Sequence, residues 1–424
     1  MLGQKQGIPD AFEHLDGVNL AALAAREGTP LYVYSASAMR ERIRALRAAL
    51  QGLDAGIRYA VKANGNVAVL QLLAAEGAGA DIVSGGEMQR ALRAGMPARD
   101  IVFSGVGKTD AEIDAALSAG IGRFNVESPA EMDAIERIAA ARGDVAVASV
   151  RINPDVDALT HAKISTGKAE NKFGVSIDEA RSWFEARARW PHVRLDGLHM
   201  HIGSQLLSLE PVRQALQRMA AFWRELEAAG HAIVSIDVGG GLGVRYREGE
   251  CAPDARDYVA LIRESLRDFS GRILLEPGRW LVAEAGILLT RVILEKEGEA
   301  RRFLVLDAAM NDLLRPSLYE AWHDIVRIGG IDSRERVVYD VVGPVCETGD
   351  TFANGRELPR CEAGDLVAIL ATGAYGASMA STYNSRPLPA EVLVDEGRYA
   401  LVRRRQSFDD IIAGEQPARD WRSA

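Results

Sequence analysis

The chain has 424 residues, of which 48% are hydrophobic and 26% charged, and a formal net charge of -9. That length and balance fit a folded protein with a large core and room for two domains, and exclude a disordered or fibrous chain. The acidic excess argues against general binding to nucleic-acid phosphates or anionic membrane surfaces, so small molecules and protein partners are the expected ligands.

Cys251, Cys346 and Cys361 are odd in number, far apart and without CxxC spacing, so neither a disulfide framework nor a zinc knuckle is expected. The opening MLGQKQGIPDAFEHLDG lacks a basic segment followed by an apolar run. No later stretch approaches the ~20 apolar residues of a membrane helix. A cytoplasmic protein, with no membrane or nucleic-acid partner, is the reading.

In chain order, TPLYVYS (29–35) predicts a first strand, within an N-terminal segment 1–36 expected to join a later β domain. From about residue 57, short β-branched runs ending in glycine or small polar residues alternate with alanine-rich segments of helical period. Eight such runs predict strands: IRYAVKAN, GADIVSG, IVFSG, GRFNVES, VAVASVRIN, LDGLHMHIG, SIDVGGG and RILLEPGR. Between them, NVAVLQLLAAEG, SGGEMQRALRAG, KTDAEIDAALSAG and SPAEMDAIERIAAARG predict helices, several with Ser, Thr or Asp near a cap and Gly at the close. Eight βα units point to a TIM-type (β/α)8 barrel over 37–285, with a doubly wound open sheet as the alternative. After about residue 285, RFLVLDAAM, RVVYDVVGPVCE, DLVAIL and AEVLVDEGRYALVRRR predict a mostly β domain, 286–424, without regular helical partners.

In such a barrel, chemistry gathers at the C-terminal ends of the strands. Lys62 ends the first; strand alternation would put Ala60, Lys62 and Asn64 on one face, with room for the amine to meet a ligand. A lysine desolvated there would have a depressed pKa and could form a Schiff base with an aldehyde. HMHIGSQ places His199 and His201 on one face with Ser204 beyond. No third Cys, His or carboxylate lies near in sequence, so no metal is expected, and a ring-stacking role suits better. DVGGGLGV and EPGRW follow strands seven and eight, the recurrent phosphate position of barrels, where Gly241 and Gly278 free backbone amides to converge. Glu276 would stand at the barrel mouth, its bland alternative an ion pair with Arg279. In the β domain, GPVCETGD puts Cys346 and Glu347 between turn residues. TGAYGASMASTYNSRP is too polar for plain core.

A Schiff-base lysine, a phosphate cradle, an aromatic neighbour and a carboxylate together describe a pyridoxal phosphate site. The motifs YAVKAN, SGGE, NPDVDALTHAKISTGKAENKFGV, HIGSQ, GGGLG, EPGR, CETGD and GAYGASMASTYNSRPLPAEV resemble, in order and over about 30–420, those of the diaminopimelate decarboxylases. That group shares the alanine racemase-like barrel with ornithine and arginine decarboxylases. The resemblance implies that Lys62 holds pyridoxal 5'-phosphate covalently, His201 stacks on its ring and Glu276 pairs with the ring nitrogen. It also implies that Ser204, Gly241, Gly278, Arg279 and Tyr375 hold the phosphate. Arg279, Arg315, Tyr319, Glu347 and Tyr375 match substrate contacts, and Cys346 matches the proton donor. Cys346 and Glu347 would reach the site from the partner subunit, so a homodimer is implied. The activity implied is decarboxylation of meso-diaminopimelate to L-lysine. Decarboxylation of ornithine, arginine or carboxynorspermidine, or a non-catalytic carrier of the cofactor, are the alternatives.

Overall fold

The computed structural model describes residues 12–157, 172–329, 333–419 and 421. Residues 158–171, most of the motif NPDVDALTHAKISTGKAENKFGV, lie outside the described residues, as do the first 11 of the expected N-terminal segment. The described chain divides into two compact units. One holds Ser35–Ala285 with Gly373–Ser378; the other holds Gly286–Thr372, the residues up to Tyr34 and those from Met379 onward.

In the first unit eight described strands close a parallel barrel: β1 Ala55–Ala60, β2 Gly79–Ile82, β3 Ile101–Phe103, β4 Arg123–Val126, β5 Ala146–Ile152, β6 Val193–Met200, β7 Ser235–Asp237 and β8 Arg272–Leu275. They run round the barrel in chain order, and β8 closes onto β1 with Ile273 opposite Ala55 and Leu275 opposite Ile57. The closure rules out the open doubly wound sheet. Each of the eight predicted runs overlaps one of these strands, and six contain theirs whole.

The intervening helices form where the caps allow. Val67–Ala75, Gly85–Arg93, Asp110–Ala119 and Pro129–Arg142 open at Asn66, Ser84, Thr109 and Ser128, whose side chains each accept from a first-turn backbone N–H. Each such cap contributes about 1 kcal/mol. Gly120 and Gly143 end the last two in the left-handed conformation that glycine adopts without steric cost. The apolar stripe of each helix, such as Met132, Ile135 and Ala139, is buried. Charged side chains inside the unit are buried with partners: Arg58 with Asp100 at 2.8 Å, and Arg123 with Asp196 at 2.7 Å.

One local expectation fails. β1 stops at Ala60, and Val61–Ala63 form a 3₁₀ turn, so Ala60, Lys62 and Asn64 do not share a strand face. The cause is Asn64, whose Oδ1 accepts from the Asn66 amide at 3.0 Å; this side-chain turn replaces continued extension. Asn64 Nδ2 donates to the Gly373 carbonyl at 3.1 Å, and the Tyr375 amide to the Ala63 carbonyl at 2.8 Å. These bonds seat the sequence-distant segment Gly373–Ser378 on the turn that carries Lys62.

In the second unit, nine described strands form one sheet. At its centre Gly286–Glu297 pairs antiparallel with Leu31–Ser35, Ile287 lying opposite Val33, and with Leu366–Ile369. Tyr32 and Tyr34 are fully buried there. Their hydroxyls donate to the Asp312 carbonyl and to Glu391 Oε2, each at 2.6 Å. Among the described residues no helix is long and apolar enough to cross a membrane.

Candidate active site

Lys62 Nζ donates to Asp81 Oδ2 at 2.8 Å. Asp81 belongs to β2 and its side chain is wholly buried, whereas that of Lys62 is 40% exposed. Burial pulls the ammonium down, but Asp81, Tyr375 and Glu276 outweigh it and hold Lys62 above its ordinary value. The depressed amine expected from the sequence is therefore corrected: the carboxylate partner reverses the effect of desolvation. Lys62 rests as an ammonium and becomes a nucleophile only after shedding a proton.

Glu276 follows β8 and is 5% exposed. Its Oε2 faces His199 Nε2 at 3.1 Å, and its Oε1 accepts from Asn125 Nδ2 at 3.1 Å. Burial pushes this carboxyl up, but the facing His199 and the Lys62 ammonium more than offset it and bring it to about 2. Glu276 is thus an ionised carboxylate in an enclosed setting. Asp237, at the end of β7, behaves oppositely: burial and the charge of Glu276 push it well up. His199, Asp237 and Glu276 each offer an atom within 4.8 Å of the others. Of two buried acids so close, one keeps its proton. The expectation of no metal rested on the lack of a third ligand type near His199 and His201. Folding brings two carboxylates to His199, while His201 is not one of that trio.

His201, just past β6, accepts the Gly240 N–H through Nδ1 at 3.2 Å. Burial, together with the positive Arg151 and Lys62, lowers it to about 3, so the imidazole is neutral. The glycine run after β7 is needed for close packing as well as for any ligand. A Cβ on Gly240 would collide with the Glu276 carbonyl, and one on Gly241, at φ +104°, with the Gly203 carbonyl. Gly278 is similarly tight, since an added Cβ would lie 3.0 Å from the Ala60 Cβ.

Arg279 opens the short helix Arg279–Val282 and is buried. Its Nη2 donates to Ser204 Oγ at 2.9 Å and its Nη1 to the Tyr246 hydroxyl at 2.7 Å. The Tyr375 ring lies 4.7 Å from its guanidinium carbon, and Tyr375 has φ +57°, in the left-handed region that a bulky residue rarely adopts. Arg279, Ser204 and Tyr375, predicted from separate motifs, thus meet. Tyr246 was missed, as were Asp81, Asn125 and Asp237. Nothing distinguishes those three from ordinary strand residues along the chain; only the barrel register brings them inward.

The second unit carries the remaining candidates. Arg315 and Tyr319 stand at the two ends of the helix Arg315–Tyr319, with Arg315 buried and Tyr319 half-buried. Cys346 and Glu347 are exposed. Their loop is shaped by Asp350, whose carboxylate accepts from the Met310 and Val345 amides, each at 2.7 Å. The Cys346 amide donates to Asn384 Oδ1 at 3.2 Å. A hydrogen bond to Glu347 raises the Tyr383 phenol.

Residues 36–283 match the family model described as the pyridoxal binding domain of pyridoxal-dependent decarboxylases. The chain is 48% identical to a diaminopimelate decarboxylase of Zymomonas mobilis, over 96% of this chain and 97% of that one. It is also 48% identical to one of Pseudomonas aeruginosa, again over 96% and 97%. The crystal structure of diaminopimelate decarboxylase from Helicobacter pylori complexed with L-lysine superposes with a TM-score of 0.90 at 44% identity, covering 93% of this chain and 98% of that one. A barrel that closes the same ring of strands around an ionised glutamate and a mouth lysine, in a chain this similar along almost its whole length, belongs to the diaminopimelate decarboxylases.

Proposed function

We propose that this chain removes one carboxylate of meso-2,6-diaminopimelate as CO2 and leaves L-lysine, the last step of lysine biosynthesis, with pyridoxal 5'-phosphate as its cofactor. The observation that carries this reading is the buried, ionised Glu276 set near an amine and a neutral imidazole in a chain so similar to those decarboxylases.

The residues fit the cofactor. Lys62 supplies a primary amine for its aldehyde, His201 a neutral flat ring, Glu276 a carboxylate for the pyridine nitrogen. Ser204, Arg279 and Tyr375 meet in one hydroxyl-rich basic cluster, next to loops where Gly241 has no room for a Cβ and Gly278 has little. When bound, pyridoxal phosphate supplies an electron sink for the pair left on carbon as CO2 departs. The chain does the rest. Lys62 tethers at the barrel mouth, and Glu276 holds a proton on the ring nitrogen. His201, neutral, adds no charge that would compete with that proton. We assign Arg279 and Arg315 to the distal carboxylate, for which planar guanidinium groups are the apt partners, and Tyr319, Glu347 and Tyr375 to the remaining substrate contacts. The Cys346 thiol then delivers a proton to the carbon that lost its carboxylate.

The working unit we infer is a homodimer in which Cys346 and Glu347 of the partner subunit complete each site. Their exposure supports this: a proton donor left at a surface loop needs a second surface to exclude water. Cys346→Ala should keep the cofactor bound while slowing turnover by about 10²-fold or more, the usual worth of a placed general acid. Mixing it with Lys62→Ala and allowing subunits to exchange tests the dimer. Half of the dimers are then mixed and each holds one intact site, so activity should return to about a quarter of wild type; no recovery after proven exchange would sink the shared site. A cytoplasmic location, expected from three free cysteines, is checked by cell fractionation.

The test of the activity is CO2 release by cofactor-loaded protein from meso-diaminopimelate, ornithine, arginine and carboxynorspermidine, each alone. Release from meso-diaminopimelate with lysine as product is expected. Release from another substrate would reassign the distal pocket, and none from any would favour a non-catalytic carrier of the cofactor.

A further inference from the structure

His323 sits just past the helix Arg315–Tyr319, in a buried side-chain position 1% exposed. Its two ring nitrogens face unlike partners. Nδ1 lies 2.7 Å from the Leu370 carbonyl oxygen, and Nε2 lies 2.8 Å from Arg315 Nη1. A carbonyl only accepts, so Nδ1 carries the hydrogen; a guanidinium only donates, so Nε2 must present its lone pair. A charged ring would set an N–H against an N–H and place two cations side by side without water. The arrangement therefore admits one tautomer of a neutral imidazole. The backbone behind it is held too. Arg356 Nη1 donates to the His323 carbonyl at 2.9 Å, and its guanidinium carbon lies 3.7 Å from the centre of the Trp322 ring.

We propose that His323 is a positioning residue for substrate recognition: anchored on the Leu370 carbonyl, it accepts one Arg315 N–H and fixes the plane in which that guanidinium grips the distal carboxylate. This rests on the assignment of Arg315 above. The reason for such a device is geometric. Paired N–H···O bonds to a carboxylate need the two planes aligned, and a long side chain left to rotate loses one of the pair. His323 lies on the same short stretch, eight residues on, so it can hold the fork without occupying the side that meets substrate.

The experiment is steady-state kinetics of cofactor-loaded H323N, H323Q and R315K on meso-diaminopimelate, with thermal melting of each. Asn can still donate to Leu370 but is too short to reach Arg315; Gln offers its Oε1 where Nε2 stood. H323N should raise KM about 10- to 100-fold, the worth of one hydrogen bond to a charged group, with kcat within about threefold. H323Q should keep KM within about threefold of wild type, and H323N placed in the R315K background should add little. A KM for H323N equal to that of wild type, or a loss confined to kcat, overturns the inference. Should H323N fail to fold, a rise in KM for H323Q as large as that of R315K overturns it equally. If R315K alone leaves KM unmoved, the assignment of Arg315 fails and this inference with it; if R315K raises KM while H323N does not, the assignment stands and only the role of His323 falls.

Discussion

Lys62→Ala should abolish the covalent attachment of pyridoxal phosphate and lower kcat by about 10³-fold or more, as loss of a covalent catalytic group does. Absorbance of the bound cofactor and CO2 release measure the two losses separately. A variant that keeps near-wild-type turnover would overturn the tether. The salt bridge to Asp81 adds a pH dependence whose sign follows from charge. Only the neutral amine attacks an aldehyde, and Asp81 is the first of the groups that hold Lys62 protonated against burial. In the apo-protein, the rate of reconstitution with pyridoxal phosphate should therefore rise with pH. Asp81→Asn removes the largest of the opposing charges, so the Lys62 pKa falls and the rising limb of that profile moves to lower pH. A limb that stays in place would mean that Asp81 does not govern the amine.

The same pair shows where sequence reading stops. Lys62 was legible because it closes a β-branched run beside small residues, a local pattern. Asp81 sits in GADI, which reads as any short strand; its meaning comes from β1 and β2 lying side by side, with Tyr59 opposite Ala80 and Ala60 opposite Asp81. The eight barrel strands were likewise legible from local composition, since seven of the runs close on a glycine, serine or asparagine and the eighth on a Pro-Gly turn. The 3₁₀ turn at Val61–Ala63 was not, because it depends on which way the Asn64 side chain bonds. Nor was the seat of Gly373–Ser378, about 310 residues along the chain from the turn it caps. His199 and His201 look equivalent two residues apart. The structure separates them, one within hydrogen-bond distance of Glu276, the other accepting from Gly240. Motif resemblance reached further than composition: it located Ser204, Arg279 and Tyr375 as one group, whereas pattern alone reads them as a loop serine, a turn arginine and a surface tyrosine. It carried no information on the supporting residues Tyr246, Asn125 and His323, which bond to Arg279, Glu276 and Arg315 respectively.

Glu276→Gln should leave the fold and the Lys62 attachment in place and lower kcat by about 10²- to 10³-fold, the usual cost of removing a preorganised charge aimed at the reacting system. The substitution is isosteric, so no cavity opens, and Asn125 and His199 retain a polar partner at 3.1 Å. What changes is charge. A carboxylate near 2 stays ionised at any working pH and, in the role proposed for it, would keep a proton on the pyridine nitrogen; an amide could share a hydrogen bond but not hold that proton. The Glu276→Gln variant would therefore leave the developing charge on the carbon that loses CO2 less well stabilised than Glu276 does. Thermal melting and the cofactor spectrum report that the site is intact, and kcat for CO2 release reports the chemistry. A kcat within about threefold of wild type, with the cofactor attached, would remove Glu276 from the mechanism. A drop that shrinks as the pH is lowered would support the same role, since solvent acid can restore to the ring nitrogen the proton that the amide does not hold.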